Sequence, residues 1–137
     1  MSELNISDPL MQMVFSAAEE GIETLKSEQN LVPFALLLTK EGVVLRRFAD
    51  EDIAVAIERA QQAVSEADED TLGYAIVYDV QLEIGGEDVD ALMVEAGERG
   101  KPDGWRFIQR YKAKIANIPL YSIGDVAYIG TDNNHLS

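Results

Sequence analysis

Leu72, Tyr74, Ile76, Tyr78, Val80, Leu82 and Ile84 alternate without a break with Gly73, Ala75, Val77, Asp79, Gln81 and Glu83. A period of two over this length predicts a strand with one core face. Gly85-Gly86 follows as a two-residue hairpin turn. That turn sets Leu82 opposite Val89, Val80 opposite Ala91 and Tyr78 opposite Met93, so the apolar registers agree. The returning strand is Glu87 to Ala96. A loop containing Gly97, Gly100, Pro102 and Gly104 leads to a further strand, Trp105 to Ile115. A last strand is expected from Leu120 to Ile129, with Gly124 marking a bulge or interruption. Residues Thr131 to Ser137 read as a loose tail, as do residues 1–6.

The first half of the chain has a different rhythm. Leu10, Val14, Ala17, Ala18, Gly21, Ile22 and Leu25 recur at helical spacing, and Asp8-Pro9 supplies an N-cap and a first helical residue. This helix is expected to end between Lys26 and Asn30. The dense apolar run Leu31 to Thr39 reads as a buried strand, Lys40-Glu41-Gly42 as a turn, and Val43 to Phe48 as its hairpin partner. Asp50 reads as the cap of a second helix whose buried stripe is Ile53, Ala56, Ile57, Ala60, Ala63, Val64 and Ala67. The element order is therefore α-β-β-α-β-β-β-(β), an α+β single domain over residues 1–137. Its simplest assembly is an antiparallel sheet of five to six strands with both helices on one face. The stretch from Leu31 to Ala67, with its Lys40-Glu41-Gly42 turn and Asp50-capped helix, resembles the profilin-like topology of roadblock-type dynein light chains. That resemblance concerns topology, and no functional residue is carried over from it. Those domains often end in a helix, whereas the segment after Ile115 here reads as strand.

Composition narrows the function without naming it. The 137 residues include no Cys, one His, 25 acids and 11 bases, for a formal charge of −14. Disulfides, thiolate nucleophiles and Cys-based zinc sites are excluded. The acidic start lacks the basic and apolar regions of a signal peptide, and no run approaches a membrane span, so a cytoplasmic location is expected. The charge argues against nucleic acid or anionic membrane as partners. It is also unevenly placed. Residues 1–98 hold 22 acids and 5 bases, whereas residues 99–137 hold 3 acids and 6 bases. All six bases lie between Arg99 and Lys114. Along the fifth strand Trp105, Phe107, Tyr111, Ala113 and Ile115 share one parity, broken by Gln109. Arg106, Arg110, Lys112 and Lys114 share the other, broken by Ile108. The bases are thus expected to pair with acids of the same chain, for example on the fourth strand, or with a second copy.

The chemical motifs are sparse. No phosphate-binding glycine loop, nucleophile elbow or EF-hand loop is present, no cofactor is expected, and catalysis is not the favoured reading. Asp79, Glu83, Asp88 and Asp90 share a face of the hairpin and are weak candidates for a divalent cation; a solvated acidic face is the plainer expectation. Glu95 falls by parity on the core face, opposite Ile76. It is expected at the sheet end near solvent, paired with Arg106 or Arg110, or in a ligand pocket. His135 reads as a solvated tail residue, from which no triad or His-rich metal site follows. Ala75, Val77, Leu92 and Val94 share the face opposite the main stripe, so Val77, Leu92 and Val94 are candidates for an interaction patch, with Arg106, Arg110, Lys112 and Lys114 beside them. The leading expectation is a non-enzymatic homodimer acting through protein contacts. The alternatives are an acidic antagonist of a basic protein, either an immunity protein or a nucleic-acid mimic, and a small-ligand sensor or enzyme with a pocket near Glu95.

Overall fold

The computed structural model describes residues 5–28 and 30–136; residues 1–4, Gln29 and Ser137 lie outside it. Two helices and six strands follow one another as α1 (Asp8–Ser27), β1 (Phe34–Thr39), β2 (Gly42–Arg47), α2 (Ile53–Ser65), β3 (Thr71–Ile84), β4 (Glu87–Glu98), β5 (Asp103–Lys112) and β6 (Tyr121–Asn133). All neighbours in the sheet are antiparallel, and their order is β2-β1-β3-β4-β5-β6. The fold is α+β, with the expected element order and six strands.

Two turn-level expectations change in detail. Ser7, one residue earlier than expected, caps α1 by accepting from the Leu10 N–H at 3.3 Å, and Pro9 occupies the first turn. Asp52 rather than Asp50 caps α2, accepting from the Ala54 N–H at 3.0 Å, while Asp50 accepts from the Asp52 N–H. Both helices thus start on a short polar side chain that satisfies an orphan donor. The β3–β4 register matches expectation throughout: Tyr78 faces Met93, Val80 faces Ala91 and Leu82 faces Val89.

The layering corrects the simplest assembly, because the helices lie on opposite faces. α1 packs Leu10, Val14, Ala17 and Ile22 on Leu36, Ala75, Val77, Leu92, Val94 and Phe107. α2 packs Ala56, Ala60 and Val64 among Ala35, Leu37, Tyr74, Ile76, Tyr78 and Met93. The reason lies in β1, β3 and β4, whose centres are apolar on both parities. Such a sheet needs a cover on each side. Val77, Leu92 and Val94 are therefore fully buried under α1 and offer no interaction patch. The cover is close: a Cβ at Gly21 of α1 would stand 2.6 Å from Leu92 Cδ1.

The covers are unequal. α1 contacts β1, β3, β4 and β6, whereas α2 rests chiefly on β1 and β3. On the α2 side, the β5–β6 half of the sheet has no described helix over it. β6 also runs farther than expected, to Asn133, and the residues after it are not loose. Tyr74 Oη lies 3.3 Å from the Asn133 carbonyl and accepts from the His135 N–H at 3.1 Å. Asn134 donates through Nδ2 to the Glu98 and Lys101 carbonyls, and Leu136 is buried with the α2-side core. At the other terminus Asn5 accepts from Lys101, and the Ser7 N–H donates to Glu98. The expected loose tails are thus tied down at residues 5–6 and 131–136.

Candidate functional site

Glu95 sits at the middle of the uneven half-cover. Its position on β4 puts it in register with Ile76 on one side and Arg106 on the other. It is 1 % exposed, so it is not at a solvated sheet end. Three side chains, from α2, β3 and the segment after β6, meet its carboxylate. Gln61 of α2 donates through Nε2 to Oε1 at 2.9 Å, the Tyr78 hydroxyl of β3 donates to Oε2, and the His135 Nε2 stands 3.2 Å from Oε1. Burial pushes the carboxyl pKa up, but the bonds from His135, Tyr78 and Gln61 outweigh it and hold it below the ordinary 4.5. Tyr74 and Tyr78 are pushed the other way, above the usual phenol range, first by burial and further by the nearby Glu95 charge.

The expected pairing of Glu95 with Arg106 or Arg110 gives way to His135. Arg106 instead bonds Asp132 of β6 at 3.2 Å. Asp132 and His135 reach Glu95 because β6 continues past Ile129 and the chain then folds across the sheet end. The expectation of a solvated His135 fails for that reason: its side chain is mostly buried and packs on the Tyr74 ring, centroids 5.5 Å apart. Ligand atoms of Glu95, Asp132 and His135 all lie within 4.8 Å of one another. Among the described residues no such group forms from Asp79, Glu83, Asp88 and Asp90, and the Asp79 carboxylate accepts instead from the Tyr111 hydroxyl at 2.6 Å. Their shared face was legible from the hairpin register, but among the described residues their carboxylates do not converge.

Beside this polar cluster lies the open half of the sheet. Arg110 is in register with Ile123 and Lys112 with Tyr121, which puts both bases on the uncovered side. Arg110 is half-buried, Lys112 is exposed, and Lys114 is exposed in the loop beyond β5. The ribbon's internal contacts are scattered. Arg106 meets Asp132, Arg99 donates to the Thr71 and Asp68 carbonyls, and Lys101 reaches Asn5. The pairing of Arg106 with an acid of the same chain is as expected, but the acid lies on β6, not on β4, the strand offered as an example. The parity break at Gln109 also acquires a reason. Its buried amide donates to the Ile123 and Gly124 carbonyls, where β6 slips register against β5.

β6 is the feature that sequence reading underrated. It is a thirteen-residue edge strand with charges only at Asp125 and Asp132. Tyr121, Ile123, Tyr128 and Ile129 on it are all exposed. The turn leading into it adds Ile115 and Ile118, 58 % and 59 % exposed, joined as an isolated bridge. The signal for this was present in Tyr121 to Ile129, but whether a strand is an edge depends on sheet order, which the pattern of one strand does not contain. Set against known protein families, curated proteins and solved structures, the chain matches none. The profilin-like resemblance thus has no structural neighbour behind it. No described helix is long and apolar enough to cross a membrane.

Proposed function

We propose that this chain is a cytoplasmic protein-interaction domain that forms a homodimer by pairing β6 with β6 of a second copy. The observation that carries the reading is the β6 edge. Its outer N–H and C=O groups face no described strand of the same chain, and its exposed apolar residues lack the charges that normally guard such an edge. The opposite edge, β2, is guarded: it has six residues and ends in Arg46 and Arg47. Pairing β6 with β2 would propagate head to tail into a ring or a filament, whereas β6 with β6 closes in a dimer by two-fold symmetry. Antiparallel pairing about Ala127 would continue the sheet and bring the uncovered basic faces of two copies side by side. Ile115, Ile118 and Tyr121 would extend the contact toward the roughly 1,000 Å² that a stable interface needs. Sedimentation of the wild type and of the double variant Ile123→Lys/Ile129→Lys tests this. Both positions are exposed, so the fold should tolerate lysine, while the edge should not.

A second reading, an acidic antagonist of a basic protein, is favoured by a groove between α1 and β6. Phe15, Glu19, Glu23 and Asp125 are among the residues that line it. It predicts capture of a basic partner that half-molar salt releases.

A further inference from the structure

We propose that Glu95, Asp132 and His135 form a binding site for one borderline divalent cation, with Zn²⁺ as the best match. This rests on a different observation from the edge-strand reading: three ligand atoms from β4, β6 and the segment after it lie within 4.8 Å of one another. Two oxygens and one imidazole nitrogen suit Zn²⁺ and its first-row neighbours better than Ca²⁺ or Mg²⁺, which take oxygen alone. Ligands of a tetrahedral Zn²⁺ at about 2.0–2.1 Å stand roughly 3.3 Å apart. Glu95 Oε1 and His135 Nε2 already stand at 3.2 Å, and a carboxylate oxygen of Asp132 lies within 4.8 Å of the other two ligand atoms. The cation would take the place of the hydrogen bond between Glu95 and His135. Three protein ligands leave a fourth position for water or a ligand.

The surroundings have the character of a supporting shell. Gln61 and the Tyr78 hydroxyl donate to the Glu95 carboxylate and fix its orientation, as outer partners do in metal sites. Glu95 forms a buried floor, while Asp132 and His135 lie at the partly open rim, which provides an entry path. Arg106 occupies the cation's place electrostatically, bound to Asp132 at 3.2 Å. Its side chain is 44 % exposed and can turn out into water. Arg106 is thus a built-in competitor of the cation for Asp132.

The test is calorimetry and thermal melting of the EDTA-stripped full chain with Zn²⁺ alone, and absorption spectra with Co²⁺ as a coloured stand-in. The wild type should take up one equivalent and melt several degrees higher. Asp132→Asn and His135→Gln should each weaken binding tenfold or more, and Arg106→Gln should tighten it severalfold. Co²⁺ should give a low-symmetry visible band that His135→Gln abolishes. Asp132→Asn changes a rim residue, so the test survives if the His135 variant folds poorly. The proposal is overturned by no uptake at millimolar Zn²⁺, or by weak multi-site uptake that Asp132→Asn and His135→Gln leave unchanged. Unaltered affinity in Arg106→Gln would overturn Arg106 as a competitor of the cation for Asp132.

Discussion

Replacing Glu95 by leucine removes the acceptor at the centre of the buried cluster while nearly keeping its volume. The three donors then fare differently. Gln61 and His135 are only partly buried and can turn to water, whereas the Tyr78 hydroxyl is trapped in the α2-side core. An orphaned buried hydroxyl costs about 1–3 kcal/mol, and the lost charge-assisted bonds add to it. The apolar side chain returns part of this through burial, about 1 kcal/mol. A net loss of about 2–4 kcal/mol follows, equivalent to roughly 7–14 °C in melting temperature for a chain of this size. Adding Tyr78→Phe to Glu95→Leu removes the orphan and should recover about 1–2 kcal/mol, give or take the usual scatter of about 0.5 kcal/mol. The pH dependence has a definite sign. Because the native Glu95 carboxyl titrates below its ordinary 4.5, its stabilisation is complete above that value and is lost as pH falls through the native one. The gap between wild type and Glu95→Leu should therefore narrow below about pH 4.5. Urea melts with EDTA present measure all of this. A Glu95→Leu variant as stable as the wild type, or one that Tyr78→Phe destabilises further, would refute the reasoning.

Other outcomes follow from particular contacts. Burial raises the Asp79 carboxyl pKa, against a smaller lowering by the Tyr111 bond, so ionising it costs stability as pH rises through its native value. Asp79→Asn keeps an acceptor for Tyr111 and should leave the protein at least as stable at neutral pH, with that part of the pH slope gone from urea melts. A Cβ at Gly97 would stand 2.6 Å from both Tyr74 Cε1 and Asn134 Oδ1, so Gly97→Ala should cost about 1–3 kcal/mol by thermal melting. It should also increase amide exchange at His135, whose N–H the Tyr74 hydroxyl holds. Ala116 sits at φ +50°, where a residue with a Cβ is strained, and Ala116→Gly should be neutral to slightly stabilising in the same melts.

The pattern of apolar positions was enough for the order and kind of the elements and for the β3–β4 register, since these depend on local period and turn chemistry, although β5 ends at Lys112 rather than the expected Ile115. It was not enough for layering. Val77 and Leu92 read as an exposed second stripe, and only the placement of α1 shows that they are core. The polar cluster was half legible: parity made Glu95 anomalous, but His135 lay forty residues away in a segment with no apolar period. It reaches Glu95 because Asn134 bonds the Glu98 and Lys101 carbonyls, and a side-chain clamp of that kind leaves no mark on hydropathy. The basic ribbon was legible as a row of charges, yet its ion pair of Arg106 with Asp132 required the β5–β6 register with its two slips.

Sedimentation equilibrium at tens of micromolar tests the central claim most directly. The wild type should sediment at about twice the 15.1 kDa chain mass, and Ile123→Lys/Ile129→Lys at the mass of one chain with an unchanged circular dichroism spectrum. A wild type that stays monomeric, or a folded double-lysine variant that remains a dimer, would contradict association through β6.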